Sequence, residues 1–142
     1  MRITTQGDYA LRCLMAIARL GEEGPVSIRR IVETEKLPQD YIEQLLLKLR
    51  RSKLIKSVRG VNGGYLLCCA AQDVSTRDVL EAVEGHTFEL ICDRGKKSRK
   101  RACCDDGCVL RGVWKELKSR IEDYLEGVSV QDLIDREKRS KR

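Results

Sequence analysis

The spacing of apolar residues predicts a chain built mainly of helices. Residues 5–20 carry apolar side chains three or four positions apart, among them Tyr9, Cys13 and Leu20, which is the period of an amphipathic helix. Gly21 follows at once and marks the end of this pattern. The first predicted element is therefore a helix over residues 5–20.

A second and a third helix are predicted after the Gly-Pro pair at residues 24–25. Ser27 is a favourable capping residue in front of a short apolar pattern. Pro38 fits the first turn of the next helix. The apolar stripe of this third helix consists of Ile42, Leu45, Leu46 and Leu49.

After the third helix the apolar pattern changes to that of short strands. Residues 55–58 and 65–67 are predicted strands, and the glycine-rich segment RGVNGG between them predicts the turn of a hairpin. Three helices and a hairpin with a basic tip form the plan of a winged helix-turn-helix domain. In that plan the second helix of the pair enters the DNA major groove, and the hairpin, or wing, reaches the flanking minor groove.

Two further helices and a short last turn are predicted after the hairpin. A Ser-x-x-Asp capping pattern at residues 75–78 begins a predicted short helix that ends at Gly85. Over residues 109–128 apolar side chains recur every three or four positions, which predicts one long amphipathic helix with a seam like that of a coiled coil. A second capping pattern at residues 129–132 predicts a short last turn, and the charged residues 135–142 are expected to be disordered.

The predicted fold class is mainly α with a small β-hairpin wing, a winged helix-turn-helix domain plus a long dimerisation helix. Residues 1–72 form the expected DNA-binding domain. Residues 73–108 hold a short helix and a cysteine-rich loop. Residues 109–134 form the dimerisation helix and a short C-terminal turn, and residues 135–142 form the tail.

Composition narrows the function classes. The chain has 142 residues and a formal net charge of +6, and residues 1–72 hold 12 Lys or Arg against 7 Asp or Glu, which suggests a polyanionic partner. No stretch has the roughly 20 apolar residues of a membrane-spanning helix, and no signal peptide is recognised, so we expect a cytoplasmic protein. One histidine and the lack of familiar catalytic arrangements argue against an enzyme and a small-molecule substrate.

Polar residues on the third helix and at the hairpin tip are the candidate DNA contacts. A solvated face is common on ordinary core helices, but a purely structural hairpin does not need basic residues at its tip. Arginine is favoured in a narrow minor groove, and glutamine can bond adenine through two hydrogen bonds. The candidates are Gln39, Asp40, Glu43, Gln44, Lys48 and Arg51 on the helix, and Lys56, Ser57, Arg59 and Asn62 on the hairpin.

Four of the seven cysteines lie in one charged stretch, CDRGKKSRKRACCDDGC, from Cys92 to Cys108. Clustered cysteines in a reducing cytosol bind metal or sense redox state more often than they form disulfides. The stretch lacks the CxxC pairs of usual zinc sites, and the adjacent Cys103 and Cys104 are poorly placed for an unstrained disulfide. The surrounding basic residues favour thiolates, which an iron–sulfur cluster needs. The residues alone leave zinc and an iron–sulfur cluster as alternatives.

Three segments, MRITTQGDYALR, DYIEQLLLKLR and SVRGVNGGYLL, are similar to signature segments of the IscR/NsrR-type winged-helix regulators, a bacterial family of homodimeric transcription factors. The resemblance continues through CVLRGVW and the long helix. It implies that Tyr41, Glu43 and Gln44 lie on the recognition helix and that Arg59 lies in the wing. Family members often carry Ser at the position of Asp40, where an Asp repels phosphate but can accept a hydrogen bond from cytosine.

The same resemblance implies an iron–sulfur cluster, [2Fe-2S] or [4Fe-4S], in the cysteine stretch. Cluster-binding members carry three cysteines directly before the long helix. Cys92 and Cys108 match the outer two, and Cys103 is preferred for the middle one, with Cys104 as the alternative. In the nitric-oxide-sensing branch the fourth ligand is a carboxylate near the N-terminus of the other subunit, and Asp8 matches that position.

Two other residues bear on the fourth ligand. Another branch uses a histidine three residues after the last cysteine, but that position is Arg111 here, which cannot ligate. His86 is favoured as a helix-end residue over a substitute ligand. Asp8 also suits a purely structural role, because a carboxylate near a helix start complements the helix dipole.

The expected protein is a homodimer that binds a double-stranded DNA operator under the control of the cluster. The long helix would pack against its copy and set two recognition helices one turn of DNA apart. Two alternatives are a cluster-free thiol redox sensor and a zinc-stabilised protein-interaction module. The candidate dimer residues are Leu110, Trp114, Leu117, Ile121, Tyr124 and Leu125.

Overall fold

The computed structural model describes residues 3–86, 88–90 and 108–142, and within them the chain forms six α-helices and one two-stranded hairpin. This architecture confirms the predicted fold class. In chain order the elements are α1 (Thr5–Leu20), α2 (Ile28–Glu35), α3 (Gln39–Arg51), β1 (Ile55–Val58), β2 (Gly64–Leu67), α4 (Thr76–Glu84), α5 (Val109–Glu126) and α6 (Val130–Ser140).

Helix α1 is the centre of the hydrophobic core. Its residues Ala10, Cys13, Leu14 and Ile17 are almost completely buried, and the helix contacts α2, α3, α4 and α6. Burial of one large aliphatic side chain contributes about 1.5–3 kcal/mol relative to its exposed state. The position of every surrounding helix is therefore set against α1.

Helices α2 and α3 form the helix-turn-helix pair. The Ser27 side chain accepts a hydrogen bond from the N–H of Arg30 and so caps α2, as the sequence predicts. Lys36 ends α2 in the left-handed conformation with φ 54°, and Pro38 lies directly before α3. This short turn leads into α3, which packs its apolar stripe on the core.

The hairpin is attached to the segment between α1 and α2. Its strands pair antiparallel, with Val58 opposite Gly64. The N–H of Tyr65 donates to the Val26 carbonyl at 2.8 Å, and the N–H of Val26 donates to the Tyr65 carbonyl at 2.9 Å. Position 64 has to be glycine because a Cβ there would collide with the Val26 backbone. These contacts fix the base of the wing on the domain.

The junction between α5 and α6 is held against the start of α4. The backbone N–H and the Oγ1 of Thr76 both donate to the Val128 carbonyl, at 2.8 and 2.7 Å, and the N–H of Val130 donates to the Val74 carbonyl at 2.9 Å. Because Val128 is buried in this contact, α5 ends at Glu126 instead of continuing through residue 128 as its periodicity suggested.

The end of the chain differs from the prediction of a disordered tail over residues 135–142, because α6 continues to Ser140. A capping box forms at the start of α6, Ile134 is buried in the core, and Glu137 forms an ion pair with Arg19 of α1. Charge composition alone predicted disorder, whereas these contacts to distant residues stabilise the helix.

Gly7 lies at a tight contact between α1 and α4, where a larger residue should destabilise the fold. A Cβ at this position would lie 2.5 Å from Glu84 Oε1 and 2.7 Å from Leu80 Cδ2. We expect Gly7→Ala to lower the free energy of unfolding by about 1–3 kcal/mol, the usual cost of overpacking. Urea denaturation followed by circular dichroism measures this change.

The matched control is Gly112→Ala in α5, where a Cβ would meet nothing within 4 Å. This substitution should raise the free energy of unfolding by up to about 1 kcal/mol, because alanine has the higher helix propensity. Equal stability of the two variants would contradict the close packing at Gly7.

Candidate nucleic-acid interface and cysteine sites

The exposed side of α3 and the base of the wing enclose a groove. Residues on this side of α3 recur three or four positions apart, which places them on one helix face. We call Asp40, Glu43, Gln44, Leu47 and Arg50 the recognition face. The groove is lined by the recognition face together with Ile28 of α2 and Tyr65 of β2.

Two side-chain hydrogen bonds organise the polar groups of this surface. Gln39 Nε2 donates to Glu43 Oε1 at 3.0 Å, within the first turns of α3. Arg50 Nη1 donates to Ser57 Oγ at 3.5 Å, between the end of α3 and strand β1. The second bond joins the recognition face to the wing, so the two form one continuous surface.

The wing presents basic and polar groups to solvent. Lys56 and Ser57 of β1 are exposed, as are Arg59 and Asn62 in the turn. Val61 at the tip is fully exposed. The wing therefore presents the cations of Lys56 and Arg59 to solvent.

Lys48 and Tyr41 are oriented differently from the other candidates on α3. The Nζ of Lys48 donates to Gln6 Oε1 at 2.9 Å and to the Val83 carbonyl at 3.2 Å, and Lys48 is half-buried. The ring of Tyr41 meets the ring of Tyr9 edge-on, with centroids 5.5 Å apart. Both side chains face α1 and α4, so the prediction that Lys48 lies on the solvated face is wrong. Arg51 is exposed, as predicted.

Leu47 and Arg50 are on the recognition face but are absent from the DNA contacts predicted from the sequence. Leu47 lies within a run of leucines that otherwise supplies the core, and only its distance of three residues from Gln44 reveals that it is on the exposed face. Arg50 lies one turn further along the same face. The helical period counted from Asp40 was the signal that could have identified both.

Of the four cysteines in the charged stretch, Cys108 lies within the described residues, whereas Cys92, Cys103 and Cys104 lie outside them. Cys108 is the N-cap residue of α5, is half-buried and is not in a disulfide. Its side chain makes no capping hydrogen bond. The thiol thus lies at the N-terminal end of an 18-residue helix, where partial positive charge favours an anionic group.

Asp8 lies in the first turn of α1 with a side chain that is 55% exposed. Its Oδ2 is 2.9 Å from Nε of Arg12, and this hydrogen bond raises the pKa of Arg12. Exposed ion pairs of this spacing contribute only about 0.3–0.5 kcal/mol to stability. The carboxylate can therefore exchange Arg12 for another partner at small cost. Within the described parts of the chain, no three potential metal ligands converge.

The remaining cysteines lie in two different environments. Cys13 is completely buried in α1, and burial raises the pKa of its thiol to about 12. Cys68 and Cys69 are exposed directly after β2.

In the segments that the structure describes, no helix is both long and apolar enough to span a membrane.

The fold and the recognition surface agree with a family match over most of the sequence. A profile of the Rrf2 family, described as an iron-dependent transcriptional regulator, matches residues 3–136. The chain belongs to the Rrf2 family. Its relatives are transcriptional regulators rather than enzymes.

Individual relatives place this Rrf2 protein beside IscR and CymR regulators. IscR of Erwinia tasmaniensis is 35% identical over 136 residues, which are 94% of this chain and 79% of the relative. The solved structure of CymR, the global cysteine regulator of B. subtilis, has a TM-score of 0.79 and 27% identity, and the match covers 95% of this chain and 97% of CymR. IscR of T. potens has a TM-score of 0.77 and 29% identity, with 100% and 92% covered. The chain is therefore a winged-helix, DNA-binding transcriptional regulator.

The buried Cys13 should differ from the exposed cysteines in its reactivity toward alkylating reagents. Because the thiolate is the reactive form, a pKa of about 12 makes Cys13 inert in the folded protein. Iodoacetamide at pH 8 should modify Cys68 in the native protein, and more slowly Cys69, whose pKa is raised by partial burial and by Asp73. Cys13 should be modified only after denaturation. Peptide mass spectrometry measures this difference.

The same shift predicts a pH dependence of stability. The pKa of Cys13 rises from 9.0 to about 12 on folding. The contribution of the neutral, buried thiol to the free energy of unfolding is therefore complete below pH 9 and is lost as the pH rises to 12. The difference in unfolding free energy between the wild type and Cys13→Ala should shrink by up to about 1.4 kcal/mol per pH unit in this window. A constant difference would contradict the assignment.

Proposed function

We propose that this Rrf2 protein is a cytoplasmic homodimer that binds operator DNA, and that an iron–sulfur cluster in the cysteine stretch controls its affinity. The regulator would sense cluster status, redox state or nitric oxide. The observation that carries the proposal is the continuous surface that the recognition face forms with the basic wing through Arg50 and Ser57.

The chemistry of the recognition face suits base edges better than phosphates. Asp40 and Glu43 repel phosphate but accept hydrogen bonds from the cytosine amino group in the major groove. Gln44 can bond adenine through two hydrogen bonds, and the exposed Leu47 offers apolar contact to a thymine methyl group. This face would therefore contribute sequence discrimination more than general attraction to DNA.

The wing supplies the complementary attraction to the DNA backbone. Lys56 and Arg59 are exposed cations of the wing, and each phosphate that they neutralise makes binding stronger and more salt-dependent. Arg59 and Asn62 at the turn suit a minor groove, whose narrow form attracts arginine. Ser57 would support both surfaces because it accepts from Arg50.

Helix α5 is the proposed dimer interface because its apolar residues are left uncovered. None of its residues is fully buried, and a stripe of apolar side chains between 40 and 80% exposed runs along it. Ile121 and Leu125 are half-buried and lie at the edge of this stripe. A second copy of α5 would cover it as in a coiled coil. The exposed stripe consists of Val109, Leu110, Val113, Trp114, Leu117 and Tyr124.

Leu117→Arg tests the dimer. A charge in the centre of the stripe should convert the protein to a folded monomer and weaken operator binding at least about 100-fold, because a monomer binds one half-site without the advantage of a linked second one. Analytical ultracentrifugation and fluorescence anisotropy on a duplex selected from a random pool measure these effects.

Ser119→Arg is the matched control, since Ser119 is exposed on another face of α5 and Asp123 one turn later can accept the new cation. This variant should remain a dimer with unchanged operator affinity. If Leu117→Arg also stayed dimeric, α5 would not be the interface.

The described ligand candidates fit a cluster-binding role. Cys108 offers a free thiol at a helix N-terminus, and Asp8 of the partner subunit would offer a carboxylate that gives up only an exposed ion pair. In the proposal Cys92, Cys103 and Cys108 hold the cluster, with Cys104 as the alternative to Cys103. A bound cluster supplies a centre that reacts with oxidants and nitric oxide.

The cluster is tested by anaerobic purification followed by visible absorption and by iron, sulfide and zinc assays. We expect a coloured protein with stoichiometric iron and sulfide, and an operator affinity that changes roughly 5- to 150-fold when the cluster is removed. Cys108→Ala should be unable to hold the cluster and remain a folded dimer, whereas the control Cys68→Ala should keep it.

The other outcomes identify the alternatives. A colourless, iron-free protein that still binds the operator would support a thiol redox sensor. Tightly bound zinc without operator binding would support a protein-interaction module. Either result would reject control by an iron–sulfur cluster.

A further inference from the structure

The N-terminus of α1 is capped by a residue from α4. Thr4 is the N-cap residue of α1, but its own side chain makes no capping bond. Instead, Glu84 Oε1 accepts hydrogen bonds from the N–H of Thr4 at 3.1 Å, the Oγ1 of Thr4 at 2.5 Å and the N–H of Gly7 at 2.9 Å. The first turn of α1 therefore depends on the last residue of α4.

The preceding residue of α4 ties the same place to α3. The Val83 carbonyl accepts hydrogen bonds from Gln6 Nε2 and, at 3.2 Å, from Lys48 Nζ. Lys48 Nζ also donates to Gln6 Oε1 at 2.9 Å. A lysine at this position complements the negative end of the α4 dipole. The contact joins three helices, and we call it the α4 junction: Thr4, Gln6, Gly7, Lys48, Val83 and Glu84.

The α4 junction lies beside the recognition face without being part of it. Lys48 is on the recognition helix, one turn beyond Gln44, and points toward α1 and α4. To reach a phosphate, its ammonium group would have to break both hydrogen bonds and leave its half-buried position. Its geometry therefore fits an anchor for α3 better than a DNA contact.

We propose that Lys48 and Glu84 are positioning residues for DNA recognition. Lys48 anchors α3 to the C-terminal end of α4, and Glu84 holds the N-terminus of α1 against the same end. The orientation of the recognition face then depends on where α4 ends, without contact between the junction and the DNA. This inference rests on the proposed binding of DNA through α3 and is independent of the cluster.

Salt dependence separates a positioning lysine from a phosphate-binding one. When a substitution removes one cation that neutralises a phosphate, the slope of log affinity against log salt becomes shallower by roughly 0.9. Lys48→Gln should weaken binding to a selected operator duplex roughly 5-fold or more while leaving this slope unchanged. Fluorescence anisotropy at several KCl concentrations measures both quantities on the full chain.

Lys56→Gln in the wing is the matched control, because it removes the same charge from an exposed position. Its affinity should fall together with a shallower salt slope. Lys48→Arg, which retains the charge and hydrogen-bond donors, should bind the operator more tightly than Lys48→Gln and approach the wild-type affinity. A shallower slope for Lys48→Gln would assign Lys48 to a phosphate and overturn the proposal.

Glu84→Gln tests the other half of the junction. The amide retains an acceptor oxygen but not the charge that strengthens the bonds to the Thr4 and Gly7 N–H groups. Operator affinity should fall at an unchanged salt slope, and the Gly7 amide should exchange its hydrogen faster in the free protein.

The two substitutions should not be additive, since both act on one junction. The fold-decrease in affinity of the Lys48→Gln, Glu84→Gln double variant should be smaller than the product of the two single decreases, whereas Lys48→Gln and Lys56→Gln should combine independently. Full independence of the two junction substitutions would overturn the proposal. If the wild type selected no duplex at all, the proposed function itself would fail, which is a different result.

Discussion

Helix α1 is surrounded by α2, α3, α4 and α6, and its burial is the constraint on which the other positions depend. The side chains of Leu14 and Ile17 are removed from water almost completely, and burial of apolar surface is the main favourable contribution to folding. The recognition helix, the base of the wing and the C-terminal helix all pack on this one element. A displacement of α1 would therefore affect every surface proposed to act on DNA.

Burial alone does not fix the position of α1 along its own axis, because apolar contacts are not directional. Hydrogen bonds and ion pairs at the two ends of the helix fix this position. Glu84 satisfies N–H groups at the N-terminus, and near the other end Arg19 pairs with Glu35 of α2 at 2.5 Å and with Glu137 of α6. Asp8 belongs to the same first turn that Glu84 caps, so a ligand at Asp8 would act on a helix end held by α4.

Local signals predicted the elements, whereas distant contacts decided the orientation of several side chains. The capping patterns at Ser75 and Ser129 both form capping boxes, because they involve residues three positions apart. Lys48 is turned by partners 35 and 42 residues away, and no periodicity encodes such partners. The ordered end of α6 has the same origin, since Glu137 is fixed by Arg19, 118 residues earlier.

The charges of the proposed DNA-binding surface differ between its two parts, and this difference bears on how a switch could work. Asp40 and Glu43 repel phosphates from the first turns of the recognition face, whereas Lys56 and Arg59 in the wing attract them. Arg50, at the far end of the face, lies next to the wing. General affinity would then come from the wing, and sequence discrimination from the orientation of α3. Because the wing is joined to Val26 and α3 to the end of α4, each part has a support of its own besides the Arg50–Ser57 bond between them. A change at the end of α4 could thus alter operator choice while leaving the general attraction to DNA in place.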